Sequence, residues 1–472
     1  MTHSLKSPDQ NRTEKLKNRV KVTLIGIGMG TPDTLTIEAD RAIRAADVLI
    51  GAKRMLAPFL PSPGSTSFSE ENTITGTESM FGERDAAPDT SSNREIYTDA
   101  APDTGSEFGT CGKKKKYLTA YDPDEIIAYI NSLPDGTRAA VLLSGDTGFY
   151  SGARRLSERL PADTEVICGI SSMPYFCSRL KTTWEDVCPI SLHGRDCNVV
   201  GLLKEHPRLF AIAGSAGAVQ DVCIKLCEYG MGDTRVSVGE RLSYPDERIL
   251  TGQAKDFTLC AVDRLSVMLL ERPDFSSSPD HRGSIPDDAF IRGHVPMTKE
   301  EVRCISISKL HLKRDSIVYD IGAGTGSVSV EAARIAVLGK VYAIEPKDEA
   351  FRLLGENRRK FAVDNMVIEK GTAPEALINL PPPDCAFIGG SGGNLREILE
   401  CLLAKNPSIR IVINVISPET LSQALTAFRD LSFSEPEIIS VSIAKARAAG
   451  SHHLMMGQNP VCILSAEGKR NR

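Results

Sequence analysis

Short β-branched apolar runs alternate along this chain with amphipathic stretches. The runs "VKVTLIGIG" from residue 20, "AAVLLSG" from 139, "TEVICGIS" from 164 and "RLFAIAG" from 208 read as strands, and "TIEADRAIRAADVLI" from 36 opens with a helical pattern. After residue 291 the alternation resumes with "SIVYDIGAG", "KVYAIEP", "NMVIEKG", "DCAFIGG" and "IRIVINVIS", again separated by helical patterns. Strand and helix taking turns predict largely parallel sheets covered on both faces, so both halves are expected to be α/β.

Three segments break the pattern. Residues 1–19 are polar and read as a disordered tail, and residues 61–116 form a low-complexity insertion containing the near-duplicates "DAAPDTS" and "DAAPDTG". "ERPDFSSSPDHRGSIPDD", from 271 to 288, has a linker's composition. The expected organisation is a first domain over 20–270, a linker over 271–291 and a second domain over 292–472, and 472 residues are more than one core usually serves.

Charge and cysteine usage narrow the class. A net charge of −5 draws no polyanion globally, so an anionic ligand needs a local basic pocket. The run Lys113 to Lys116 closes the insertion and reads as solvated charge. Twelve cysteines without a C-x-x-C pair fit reduced thiols, with Cys223 and Cys227 as core thiols on one helix, and no metal site is expected. No run approaches the roughly 18 apolar residues of a membrane span, and the expected location is the cytoplasm.

The chemistry concentrates in "VYDIGAGTGSVSVEAA", from 318 to 333. Asp320 ends a strand, and Gly322, Ala323, Gly324, Thr325 and Gly326 turn the chain into a helix beginning near Ser327. Beyond the carboxyl ends of parallel strands, helix N-termini present free N–H groups, and glycine tolerates positive φ and close approach of a nucleoside-bearing ligand. The spacing is G-x-G-x-G rather than the dinucleotide G-x-G-x-x-G, and Glu345 ends the next strand, where a carboxylate accepts ribose hydroxyls. Both NAD and S-adenosylmethionine accept that carboxylate; the spacing and Asp320 favour S-adenosylmethionine.

With "VPMTKEEVRCISISKLHL", "GTAPEAL", "PDCAFIGGSGG" and "NPVCILS", this half resembles the decarboxylating methyltransferases of cobalamin biosynthesis, of the class I Rossmann-like methyltransferase fold. The resemblance implies a cofactor site of Thr298, the loop from Gly322 to Gly326, Glu345 and Ala373. Thr298 and Glu301 also read as a helix capping box. In the first half, "LIGIGMGTPDTLT", "LLSGDTGFYSG", "CGISSMPYF" and "VGERLSYPDERILTG" follow in the order of the two-lobed tetrapyrrole methylases. That resemblance implies a second S-adenosylmethionine site at Gly28, Gly30, Gly145, Asp146, Ser171 and Ser172. Met29 and Thr147 stand where the family commonly has proline.

The domain order is similar to that of the fused precorrin-6Y C5,15-methyltransferase (decarboxylating) family. It implies methylation at C5 by the first domain, and methylation at C15 with loss of the ring C acetate carboxyl by the second, without a further cofactor. Relatives of both domains tend to form homo-oligomers. A precorrin carries many carboxylates, so Arg195, Arg241, Lys445 and Arg447 are candidate substrate contacts, the last two sharing a strand face; each also reads as ordinary surface charge. His452 and His453 read as exposed loop histidines or as proton donors, and no catalytic residue is assigned. A methyltransferase for another tetrapyrrole or for RNA, an NAD-dependent oxidoreductase and a non-catalytic cofactor sensor stay open, RNA being disfavoured by charge and by a single Trp.

Overall fold

The computed structural model describes residues 20–60, 66–68, 96–99, 115–192, 197–273 and 283–469. The tail, most of the insertion, Arg195 and much of the linker lie outside those residues. Two compact units emerge, one of residues 1–185 and 239–249, the other of 186–238 and 250–472.

The first unit is built on a seven-stranded sheet. Its strands are β1 (Lys21–Gly26), β2 (Val48–Gly51), β3 (Thr66–Phe68), β4 (Ile96–Asp99), β5 (Lys116–Thr119), β6 (Arg138–Leu143) and β7 (Glu165–Ile167), in the order β3-β4-β5-β2-β6-β1-β7. From β5 to β7 all pairs are parallel. Their near-continuous apolar sequences suit burial on both faces, and Leu24, Ile25, Leu49, Ile50 and Val141 have no exposed surface.

Two expectations change here. Inside the supposed featureless insertion, 66–68 and 96–99 form antiparallel edge strands beside β5, short β-branched and aromatic runs suited to a pleated edge. Lys115 is not solvated: it is buried, and its ammonium donates to the carbonyls of Ile43, Arg44 and Ala46 at 2.7–2.9 Å. These carbonyls lie at the end of the helix Ile37–Ala45, where a cation also meets the negative dipole end.

In the second unit, β8 (Val187–Ser191), β9 (Arg208–Ile212), β10 (Arg235–Glu240), β11 (Arg248–Gln253) and β12 (Ser266–Glu271) form a five-stranded sheet ordered β11-β10-β12-β9-β8. Its β9–β12 pair is antiparallel, against the expectation of largely parallel sheets; no helical crossover, which a parallel pair would need, separates β10 from β11 or follows β11 into β12 except a 3-10 turn. The last sheet contains β13 (Ile317–Ile321), β14 (Lys340–Glu345), β15 (Met366–Lys370), β16 (Cys385–Ile388), β17 (Arg410–Val415), β18 (Glu437–Val441) and β21 (Val461–Glu467), ordered β15-β14-β13-β16-β17-β21-β18. β15 to β17 are parallel and β21 is antiparallel to both neighbours. A separate exposed hairpin pairs β19 (Ala444–Ala449) with β20 (His452–Gly457).

The two sheets of this unit share a core. Val337 and Ala362, from the part that carries β13 to β21, are buried in the same cluster as Val199, Leu203, Val222 and Leu226. Around it Asn198 Nδ2 donates to the Val337 carbonyl at 3.1 Å, Lys225 pairs with Asp364 at 3.0 Å, and both terminal nitrogens of Arg314 reach Glu205 at 2.7 and 3.3 Å.

Candidate functional site

In the second unit the loops after β13, β14, β15 and β16 line one edge, the carboxyl ends of four adjacent parallel strands, as sites in open α/β sheets require. Gly322, Gly324 and Gly326 have φ of 73°, 58° and 82°, left-handed values that disfavour side chains. A Cβ on Gly322 would lie 2.7 Å from the Gly390 carbonyl, one on Gly324 2.8 Å from the Pro296 carbonyl, and one on Gly326 2.6 Å from the Leu354 side chain. The close approach that excludes side chains at these three positions is made by the protein itself. The turn opens the nine-residue helix Ser327–Ile335.

Glu345 fixes this turn. It is 5% exposed, and its Oε2 accepts the Gly324 N–H at 2.9 Å while Oε1 accepts the Lys347 N–H at 3.1 Å. A carboxylate offers about four lone-pair sites, so two remain to accept ribose hydroxyls. Asp320 is 1% exposed, with Oδ2 bonded to the Ser329 hydroxyl and Oδ1 without a partner among the described residues. Burial, reinforced by the Glu345 charge and opposed by the Ser329 bond, pushes its carboxyl up to about 7. The Thr325 hydroxyl is a second buried polar group lacking a partner there. Orphaned acceptors beside a braced glycine turn fit a ligand rich in hydroxyl and amino donors, as S-adenosylmethionine is.

The remaining candidates divide. Ala373 is buried and its carbonyl accepts from Asn394 Nδ2 at 3.2 Å, tying the β15 loop to the β16 loop at the same edge. Thr298 lies two residues from the Pro296 carbonyl that abuts Gly324, but the capping box does not form. Lys299 is the N-cap without a side-chain bond, Glu301 instead pairs with Lys445 at 2.6 Å, and the Thr298 carbonyl accepts from Arg303 at 2.6 Å. Long-range pairing has outcompeted the local cap. Lys445 and Arg447 do share a strand but on the exposed hairpin, and His452 and His453 belong to its other strand rather than to a loop.

Missed from the sequence was Arg303, wholly buried, which bonds Glu331 at 2.6 Å, Asp287 at 3.1 Å and the Ile285 carbonyl. It staples segment 285–298 to the domain, and a charged residue in the helix Glu300–Lys309 gives no sign of such burial in the sequence.

In the first unit the glycine loops after β1, β6 and β7 pack against one another. Gly28 and Gly145 exchange backbone hydrogen bonds at 3.1 and 2.8 Å, both with positive φ. Asp146 turns inward: Oδ1 accepts the Gly148 N–H at 2.8 Å and Oδ2 the Gly169 N–H at 3.0 Å, so its carboxylate stitches loops together. Ser171 is buried as N-cap of the helix that Ser172 begins. Met29 donates its N–H to Thr34 Oγ1 at 3.0 Å, a bond that proline at this position would forfeit. Arg241 closes on Asp246 at 2.5 Å and lies over the Tyr244 ring. Arg195 lies outside the described residues.

Among the described residues no cluster of His, Cys, Asp and Glu could hold a metal, no helix is long and apolar enough to cross a membrane, and the eleven cysteines are unbridged. Burial pushes the Cys223 thiol up to about 12.

Comparison with known proteins matches residues 21–258 to the tetrapyrrole (corrin/porphyrin) methylases and residues 288–467 to the precorrin methyltransferase domain. A probable cobalt-precorrin-6B C(15)-methyltransferase (decarboxylating) of Pyrobaculum calidifontis is 40% identical over 185 residues, covering 39% of this chain and 94% of that protein. A precorrin-6Y C(5,15)-methyltransferase [decarboxylating] of Sinorhizobium is 29% identical over 328 residues, covering 69% of this chain and 78% of that protein. A crystal structure of precorrin-6Y C5,15-methyltransferase from Geobacter metallireducens is 35% identical with a TM-score of 0.38, over 39% of this chain and 98% of that one. With both matches in the order that the sequence motifs follow, the chain belongs to the tetrapyrrole methylase family and carries a precorrin methyltransferase domain fused behind it.

Proposed function

We propose that the chain is an S-adenosylmethionine-dependent C-methyltransferase of cobalamin biosynthesis. Its first domain methylates a precorrin at C5; its second methylates C15 and releases the ring C acetate carboxyl. The observation that carries this reading is the braced glycine turn of Gly324 and Glu345 beside the orphaned Asp320 oxygen, in a chain of this two-domain family.

When bound, S-adenosylmethionine supplies a methyl group on a sulfonium, open to attack by an electron-rich carbon. The chain's own work is placement. In the second domain Glu345 would hold the ribose, and the loop from Gly322 to Gly326 with Thr298 and Ala373 would frame the nucleoside. In the first domain Gly28, Gly30, Gly145, Ser171 and Ser172 would do so through backbone groups, with Asp146 keeping their loops in register. Fixing two reactants at near-attack distance supplies up to about 7–11 kcal/mol of a barrier. Two cofactor sites per chain and a homo-oligomeric state in the cytoplasm complete the proposal.

The test supplies the octacarboxylic corrinoid precursor with S-adenosylmethionine and reads product mass. Gain of two methyl groups with loss of one carbon dioxide is expected, with two cofactor equivalents bound per chain by calorimetry. Nicotinamide binding, or cofactor binding without turnover, would favour the oxidoreductase or the sensor instead.

A further inference from the structure

We propose that Arg54 anchors an acid side chain of the substrate above the glycine loops of the first unit. The inference rests on the tetrapyrrole reading and names the residue that recognises the substrate's charge there.

Arg54 follows β2 in the short helix Lys53–Leu56, at the same carboxyl-terminal strand edge as Ser144, Gly145 and Asp146 after β6 and Gly28 to Gly30 after β1. β2, β6 and β1 are neighbours in the sheet, so these three loops are adjacent at the edge where ligands of open α/β sheets sit.

Arg44, Arg138, Arg159, Arg179 and Arg241 in this unit each meet a carboxylate. Arg54 does not: Nη1 donates to the Tyr244 hydroxyl at 3.2 Å and Nη2 to Ser144 Oγ at 3.4 Å, both neutral acceptors. Among the described residues no carboxylate shares its exposed guanidinium. A guanidinium has five donors, so the two hydroxyls orient it and leave N–H groups and the full charge for a carboxylate.

Gly30, at φ 97°, has no Cβ where the Tyr244 hydroxyl comes within 3.0 Å, so the group that receives Arg54 rests on the first glycine turn. The loop carrying Tyr244 is held by Glu247, which accepts from Tyr175 Oη at 2.8 Å, from the Ser243 N–H at 2.7 Å and from Arg179 Nε at 2.7 Å. Ser243 Oγ also donates to the Met29 carbonyl at 3.3 Å. Arg54 is thus aimed from a fixed frame that belongs to the cofactor loops, and a substrate acid held there is registered against them.

A carboxylate at Arg54 has two sources, an acid side chain of the macrocycle and the methionine carboxylate of the cofactor; the proposal commits to the first. The test compares full-length Arg54→Gln and Arg54→Lys with wild type, following the first methyl gain by mass while precursor and S-adenosylmethionine are varied in turn. We expect the precursor KM to rise about 10- to 100-fold in the Gln variant and less in the Lys variant. The cofactor KM, the kcat and the C15 step on C5-methylated material are expected to stay within about twofold of wild type. An unchanged precursor KM, or a rise confined to the cofactor KM, overturns the assignment. A wild-type chain that transfers no methyl group to the precursor overturns the tetrapyrrole reading itself, and Arg54's role with it.

Discussion

The Glu345 carboxylate accepts the backbone N–H of Gly324 across a 2.9 Å hydrogen bond, joining the end of one strand to the glycine turn that follows its neighbour. One side chain thereby shapes the turn and offers lone pairs beside it. Glu345→Ala removes both. A charge-assisted bond is worth about 1.5–3 kcal/mol, so cofactor affinity in the second domain is expected to fall about 10- to 150-fold. C15 methylation and decarboxylation fall with it while C5 methylation persists, read by product mass at limiting cofactor. Equal loss at C5 and C15 would contradict the assignment.

Asp320 gives the second domain a pH signature. Its folded value, about 7, lies above the ordinary 3.8, so between those values the folded chain holds a proton that the unfolded chain has released. Its stabilising share is present below about pH 4 and is lost as pH rises through about 7. In the absence of cofactor, Asp320→Asn should therefore gain stability relative to wild type as pH goes from 5 to 8. Thermal unfolding of wild type and variant at each pH is the measurement; a difference that ignores pH would refute the cause given.

Lys115→Met tests the buried ammonium at the end of the helix Ile37–Ala45. With the donor gone, the carbonyls of Ile43, Arg44 and Ala46 lose its hydrogen bonds in a largely buried setting. The expected loss is about 1–3 kcal/mol, measured by urea unfolding of the full chain. Lys116, exposed on the next residue, is the control, since Lys116→Met should change little.

Arg303→Met strips a wholly buried cation from Glu331, itself buried, and from the Ile285 carbonyl. Breaking one side of such a pair costs about 3–5 kcal/mol. Segment 285–298 should detach before the domain melts, so limited proteolysis there precedes global unfolding. Arg303→Lys, which keeps charge but not the fork, should recover only part of the protection.

What the sequence made legible was local. The parallel strands and the glycine turn from Gly322 to Gly326 announced themselves because apolar periodicity and positive-φ positions are written in neighbouring residues. Arg54 was illegible because its partners Tyr244 and Ser144 stand 190 and 90 positions away, and nothing in "GAKRML" singles it out. The capping box failed for a kindred reason: "TKEE" fits the pattern, but Lys445, far along the chain, claims Glu301. Lys115 was misread because a run of four lysines looks solvated until a helix end arrives to consume one of them.

Val337 and Ala362 sit in a core otherwise contributed by residues 190–270, so the second methylase lobe and the class I domain adhere through side chains and not merely through the peptide between them. Severing the backbone between 274 and 282 should then yield a nicked species that co-elutes as a single peak. The covalent join there would serve chiefly to keep the halves at high effective concentration during assembly, after which geometry is dictated by the seam.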